Sequence, residues 1–313
     1  MTDETHISKF KNIFKGRKFK RNAFYVLMMT FPVVHFIIFY IVVNFNSFFL
    51  AFREYTLSDG TMTWQYSLKH FQTIFYELTH SPQNITMGYM FRNSFLVFAF
   101  EILIIVPLSI IFSFYIYKKL PFAKLFKVII FIPSIITVLA LAIVYNATVN
   151  NVLPSVFGCE KFLLELYPDK VFGALMVFTL MISFGVNIIM YTSTMSSIDQ
   201  SLVEAAKIDG AGLGKEFFNI TLPACYSTIS VFIVVSIAGM FVNQLNAHAF
   251  FGSGLEVKLR TVGYFLFVET LKAGTSITQY GYLSAWGLLL SAIVIPLTFT
   301  VRWVLKKIGP SED

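Results

Sequence analysis

Residues 171–195 read VFGALMVFTLMISFGVNIIMYTSTM, and none of them carries a charge. About 20 consecutive apolar residues suffice to take an α-helix across the hydrocarbon core of a bilayer. The stretch is long enough, and it belongs to a chain of 313 residues of which 56% are hydrophobic and 13% charged. A soluble chain of that length carries about 25% charged residues and folds as two ordinary domains. A disordered chain is poor in Phe, whereas this one has 36. Outward from 171–195, five further apolar intervals run from near Phe24 to Phe49, Asn93 to Tyr117, Val128 to Ala147, Leu222 to Asn246 and Gly281 to Val301. The expected fold is an all-α polytopic membrane protein of six transmembrane helices. Residues 24–305 form the membrane domain, between tails at 1–23 and 306–313.

Orientation follows from Lys and Arg, which accumulate in loops that stay cytoplasmic. Sixteen lie in the N-terminal tail, the second-to-third and fourth-to-fifth connections and the C-terminal tail; eight lie in the opposite loops. Both termini are therefore expected in the cytoplasm. The basic leader is too long, and the first apolar run too extended, for a removable signal peptide. Residues Lys9 to Arg21, with Phe10, Ile13, Phe14 and Phe19, can lie on the anionic leaflet or serve as a solvated topology signal. The net charge of +7 sits at the ends of apolar runs rather than on a face with exposed aromatics, so nucleic acid is not an expected partner. Two cysteines, Cys159 and Cys225, make neither a disulfide framework nor a four-ligand zinc site. No histidine pair at i,i+4 suggests a metal, and no serine sits in a nucleophile elbow.

The loop from Ser196 to Pro223 is long, polar and rich in small residues, with helical periodicity of its own. Ser197 and Gln200 fit a capping box; Leu202, Ala205, Ala206 and Ile208 can share an apolar face; Gly210 can end the helix. A second short helix is expected over Leu213–Ile220, with Pro223 in the first turn of span five. Within this loop Glu204-Ala205-Ala206, Gly210, Ile220, Leu222 and Pro223 stand at the spacing E-A-A-x3-G-x9-I-x-L-P. That spacing resembles the signature of the membrane subunits of binding-protein-dependent ABC importers. The run EAAKIDGAGLGKEFFNITLP is similar to the carbohydrate branch, which includes the membrane subunits of the maltose and glycerol-phosphate importers. Asn93, Pro133, Gly185 and Asn187 also fit, so the resemblance covers about Phe24 to Val304.

The resemblance implies that residues 196–223 are the coupling loop that docks on a cytoplasmic ATPase, with Glu204, Ala205, Ala206, Asp209, Gly210, Ile220, Leu222 and Pro223 in the contact element. It implies a complex of two membrane subunits, related or identical, two ATPases and an extracytoplasmic binding protein. The segments Arg53–Arg92, Thr148–Lys170 and Ala247–Tyr280 would face that binding protein or merely connect helices. ATP and magnesium are expected on the ATPases. Here Gly210, Gly212, Gly214 and Lys215 superficially resemble a phosphate loop, but Asp209 stands where its first glycine belongs and Glu216 where its Ser or Thr belongs. The chain is expected to be no enzyme and to bind no cofactor.

Polar groups inside a membrane are costly and mark pathways by default. Asn187 in span four and Asn243 and Gln244 in span five are the candidates. Resemblance to the maltose importer's membrane subunit adds Gly239 and Met240, of which neither is a polar sugar-binding type. Each amide can instead bond a neighbouring helix, worth about 1 kcal/mol. Glu101 is the only acid within a span. It would be the relay of an ion-coupled secondary transporter, the alternative from another class, or a buried acid paired with water or another subunit. Anionic cargo would call for bases within the spans, and polycationic cargo for several acids; neutral sugar remains by elimination. Another small solute is the closer alternative.

Overall fold

The computed structural model describes residues 17–58, 61–80, 83–158 and 170–309. The basic segment up to residue 16, Cys159 and the rest of 159–169, and residues 310–313 lie outside the described residues. Among the described residues, five helices are long and apolar enough to span a membrane. They are Lys20–Ala51 (span one), Thr86–Tyr117 (span two), Val138–Val156 (span three), Val171–Ser196 (span four) and Ile277–Ile308 (span six). A bent pair, Leu213–Ala224 and Tyr226–Gly239, supplies span five.

Two compact units divide the chain, Met1–Phe71 with Ile277–Leu288 and Gln72–Ser276 with Leu289–Asp313. In the first, span one buries only Ala51 among its described residues. An apolar helix exposed all round is what lipid or another membrane subunit covers. A hairpin that the spacing did not foretell follows it. Strand β1 (Arg53–Ser58) pairs antiparallel with β2 (Thr61–Tyr66), in a register from Arg53↔Tyr66 to Ser58↔Thr61. Its sequence signal is Asp59-Gly60 between two alternating runs. Lys69 Nζ lies 2.5 Å from Glu54 Oε1, and His70 Nε2 3.1 Å from the Arg53 carbonyl, which ties the next helix, Lys69–Thr79, to β1.

In the second unit, spans two and four lie side by side. Val97 packs with Val171, Leu175, Leu245 and Tyr264 at one level. Val106 and Ile110 pack with Tyr191, Met195 and Cys225 at another. Ser113 Oγ donates to the Ile188 carbonyl at 3.2 Å between them. Gly185 lets the helix Ala123–Ile135 approach span four: a Cβ there would stand 2.8 Å from the Ile130 carbonyl.

Three π-helical turns share one cause. Glu101–Ile105, Thr148–Val152 and Phe217–Thr221 each end two residues before a proline, Pro107, Pro154 and Pro223. A proline ring in a regular helix meets the carbonyl four residues back and gives no hydrogen bond. One widened turn ahead of it relieves both defects.

Two expected spans are corrected. The interval 128–147 is not one helix: Ala123–Ile135 stops just past Pro133, Ile136 and Thr137 are extended (ψ 143° and 138°), and a new helix starts at Val138. Nor does span five run from 222 to 246. Helix begins at Leu213, bends by 62° at Cys225, and ends at Gly239. Spans one, two and six are longer than their apolar intervals, because helix continues into polar flanks at Arg17, Gln83 and Ile308.

Candidate functional site

The loop between spans four and five is built from its caps. Helix Gln200–Ile208 starts at Asp199, whose Oδ1 accepts from the Ser201 amide at 2.9 Å. That bond to the backbone, with a further one to the Ser201 side chain, holds the Asp199 carboxyl below its ordinary value. The expected capping box at Ser197 is therefore corrected. Ser197 Oγ donates to the Thr194 carbonyl at 2.7 Å and finishes span four instead, because Asp199, two residues nearer, is the stronger acceptor for the first free amides. The far end closes as the glycine predicts. Gly210 has φ +77°, the Ala211 amide donates to the Ala206 carbonyl at 2.9 Å, and the Gly210 amide to Lys207 at 3.1 Å. This is the Schellman arrangement, in which a left-handed residue past the helix satisfies its last carbonyls.

The structure decides which way the helix faces. Val203, 2% exposed, is its inward anchor, while Leu202 and Ile208 are 52% and 86% exposed. Ala205 and Glu204 are exposed with them, and Ala206 is half-buried. Leu202, Ala205 and Ile208 share a face as expected, and it looks outward, while Ala206 turns partly inward. Leaving two such side chains in water forgoes about 1.5–3 kcal/mol each, an amount recovered if a partner covers them.

Behind that surface the loop is firmly held. Leu213–Glu216 continues through the π turn into Leu222–Ala224, so the second helix is longer than Leu213–Ile220 and Pro223 lies near its end rather than at the start of a separate span. Ile198, Phe217 and Leu222 pack on the Tyr191–Met195–Cys225 cluster, and Phe217 meets Phe114 of span two edge to face at 5.0 Å between ring centres. Ile220 is half-buried and Asp209 exposed. Glu216, 3% exposed, forms an ion pair with Lys118, which caps span two and lies 5.2 Å from the Tyr117 ring. Neither member of the pair carried a motif signal; a lone acid just inside the second helix and a Lys just past span two were the only traces.

The residues expected along a path fall at two levels. Asn187 is buried in span four, next to the Ile188 carbonyl that binds Ser113. Gly239 ends span five and Met240 is its buried cap. Asn243 and Gln244 lie in a turn rather than on a helix. Asn243 Oδ1 accepts from the Leu245 amide at 2.9 Å, its carbonyl accepts from Thr261 Oγ1 at 2.9 Å, and Leu245 and Asn246 are left-handed (φ 55° and 54°). An asparagine side chain that captures the amide two residues on competes with helix continuation, which is why the span stops early.

A family model described as the binding-protein-dependent transport system inner membrane component matches residues 105–311. The polygalacturonan/rhamnogalacturonan transport system permease protein YteP of Bacillus subtilis (strain 168) is 26% identical over 312 residues, 95% of this chain and 94% of its own. The arabinooligosaccharides transport system permease protein AraP of Halalkalibacterium halodurans is 24% identical over 312 residues, 95% of this chain and 92% of its own. Among solved structures, a bacterial ABC transporter involved in the import of the acidic polysaccharide alginate superposes with a TM-score of 0.73, covering 97% of this chain and 100% of that one at 17% identity. At that identity the likeness speaks for the fold.

Proposed function

This chain belongs to the inner membrane components of binding-protein-dependent transport systems, and on that premise we propose that it forms half of the translocation path of an ATP-driven sugar or oligosaccharide importer. The observation that carries the reading is the loop 199–223: an outward Leu202–Ala205–Ile208 face beside Glu204, on a helix locked at both ends and seated on spans two and four. Such a surface suits a cleft on a separate ATPase. Small side chains at Ala205 and Ala206 admit a close backbone, and Glu204 offers an acceptor to a basic group.

Two ATPases would hold the ATP and its magnesium, and a second membrane subunit, related or identical, would complete the path. Closure of the ATPases would push the loop toward the membrane. The push would pass through Phe217–Phe114 and Glu216–Lys118 to span two, and through the bend at Cys225 to span five. A path lined near Asn187, Gly239, Met240, Asn243 and Gln244 would then switch its opening between the two sides, receiving cargo from an extracytoplasmic binding protein. Both termini and the loop would face the cytoplasm of a bacterial cell. Carbohydrate cargo is supported by the relatives' names, which speak of pectic polymers, arabinooligosaccharides and multiple sugars. Family membership leaves no role for an ion-driven carrier built on Glu101.

The test is purification of the chain from its native host in mild detergent, with co-purifying subunits identified by mass. An ATPase with a phosphate loop and a second membrane chain are expected, with hydrolysis stimulated by the sugar-loaded binding protein. A solitary chain that still transports would overturn the reading.

A further inference from the structure

Glu101 is the one acid in the six apolar intervals, and none of the contacts above uses it. It opens the π turn Glu101–Ile105 of span two, which packs against both span four and the Tyr226–Gly239 limb of span five. The hydroxyl of Ser236, itself buried, lies beside its carboxyl group. On that limb Ser236 shares a face with Gly239 and Met240, three and four residues on. The acid therefore reaches the face proposed to line the path, at the point where the helix gives way to the Asn243 turn. The π turn that precedes Pro107 aims it there, and such turns recur at functional sites. In the same intervals no Lys or Arg occurs at 93–117, 128–156, 171–196, 217–255 or 277–301.

We propose that Glu101 and Ser236 form a sugar-hydroxyl subsite of the path, and that Glu101 makes the path favour neutral, hydroxyl-rich oligosaccharides over uronate-containing ones. The inference rests on the importer reading. A carboxylate only accepts and can take two vicinal sugar hydroxyls, while the serine hydroxyl both donates and accepts, so the pair adapts to a polyol. A uronate would bring a second carboxylate beside the first with no Lys or Arg in the interval 93–117 to offset it, and in a low-dielectric path one of the two would have to take up a proton. The relatives' names include both chemistries, neutral arabinooligosaccharides and acidic polygalacturonan, so they do not choose; Glu101 does.

The experiment uses the purified complex of membrane and ATPase subunits in nanodiscs without binding protein, so that selection by that protein is absent. Neutral trisaccharides (arabinotriose, xylotriose, maltotriose) and trigalacturonate are titrated calorimetrically. The wild type should bind one of the neutral sugars at least about tenfold more tightly than trigalacturonate, as expected of a charge-assisted bond against a charge clash. Glu101→Gln, which keeps the volume and an acceptor beside Ser236, should bring the ratio close to one by strengthening trigalacturonate, and Ser236→Ala should weaken the neutral sugar. A ratio unmoved by Glu101→Gln, or a wild type that prefers the uronate, would overturn the proposal. A wild-type complex that hydrolyses ATP yet binds none of the four sugars would instead overturn the carbohydrate reading, and the subsite with it.

Discussion

Gly210 closes the helix on which the proposed coupling role depends. Its φ of +77° ends helix Gln200–Ile208 at the residue where the chain turns toward the second helix, and an L side chain in that conformation costs about 1–2 kcal/mol. Gly210→Val should therefore fray the helix end and displace the outward face. The expected result is ATP hydrolysis that persists while sugar uptake falls, and uptake at the wild-type rate would remove the residue from the coupling role. Asp199 makes a separate test at the other end. Its folded carboxyl titrates below the ordinary value of 3.8 because the Ser201 amide and hydroxyl favour the charged form. A depressed value stabilises the cap fully above the unfolded pKa and loses that effect as pH falls through the folded one. Amide exchange at Ser201 should thus be protected at neutral pH and lose protection below about pH 4, and Asp199→Ala should lack the transition; an identical profile in the variant would show that the cap does not depend on this carboxylate.

At the scale of elements, the loop is rigid because its inner side is anchored at separate points. Val203 is buried, Phe217 packs on the Tyr191–Met195–Cys225 cluster, and Glu216 lies in a buried ion pair with Lys118. Breaking a buried pair by removing one member strands a charge and costs about 3–5 kcal/mol, whereas the intact pair adds less than that to stability. Glu216→Ala should therefore lower the thermal midpoint in detergent and uncouple hydrolysis from uptake. The exchange Lys118→Glu with Glu216→Lys should recover part of both losses. Additive damage in the double variant would mean that the two side chains act independently. The π turns at Glu101–Ile105, Thr148–Val152 and Phe217–Thr221 belong to this scale too, since each stands just ahead of a proline.

At the scale of the molecule, long-range ties hold the second unit together. Asn93, 2% exposed, donates from Nδ2 to the carbonyls of Lys258 at 2.8 Å and Arg260 at 3.0 Å, some 165 residues away. Next to it, Ser94 Oγ accepts the Val262 amide at 3.0 Å. Leucine at position 93 would leave two carbonyls buried without their donor, at about 1–3 kcal/mol each. Asn93→Leu should cut the yield of folded protein and lower its thermal midpoint by several degrees, while the loop 199–223 keeps its affinity for the ATPase. A midpoint equal to that of the wild type would mean that those carbonyls find other donors. Asn93 was legible as a family feature at the mouth of span two, but what it bonds was not, because its partners lie about half the chain away.

Hydrophobic run length sufficed for the membrane class and the number of spans, since each depends on composition over about 20 residues. The glycine of the loop motif was likewise legible, because Gly210 acts through its own backbone. Local competition went unread: Asp199 outbids Ser197 for the free amides, and Asn243 ends span five before its apolar run ends. Which face of helix Gln200–Ile208 looks outward could not be read from its period, for a helical stripe is the same stripe whether it meets a core or a partner. Tertiary structure alone decided that, as it decided the meeting of Glu216 with Lys118 and of Glu101 with Ser236. Such pairs join spans that are distant in the chain, and burial makes each member depend on the other.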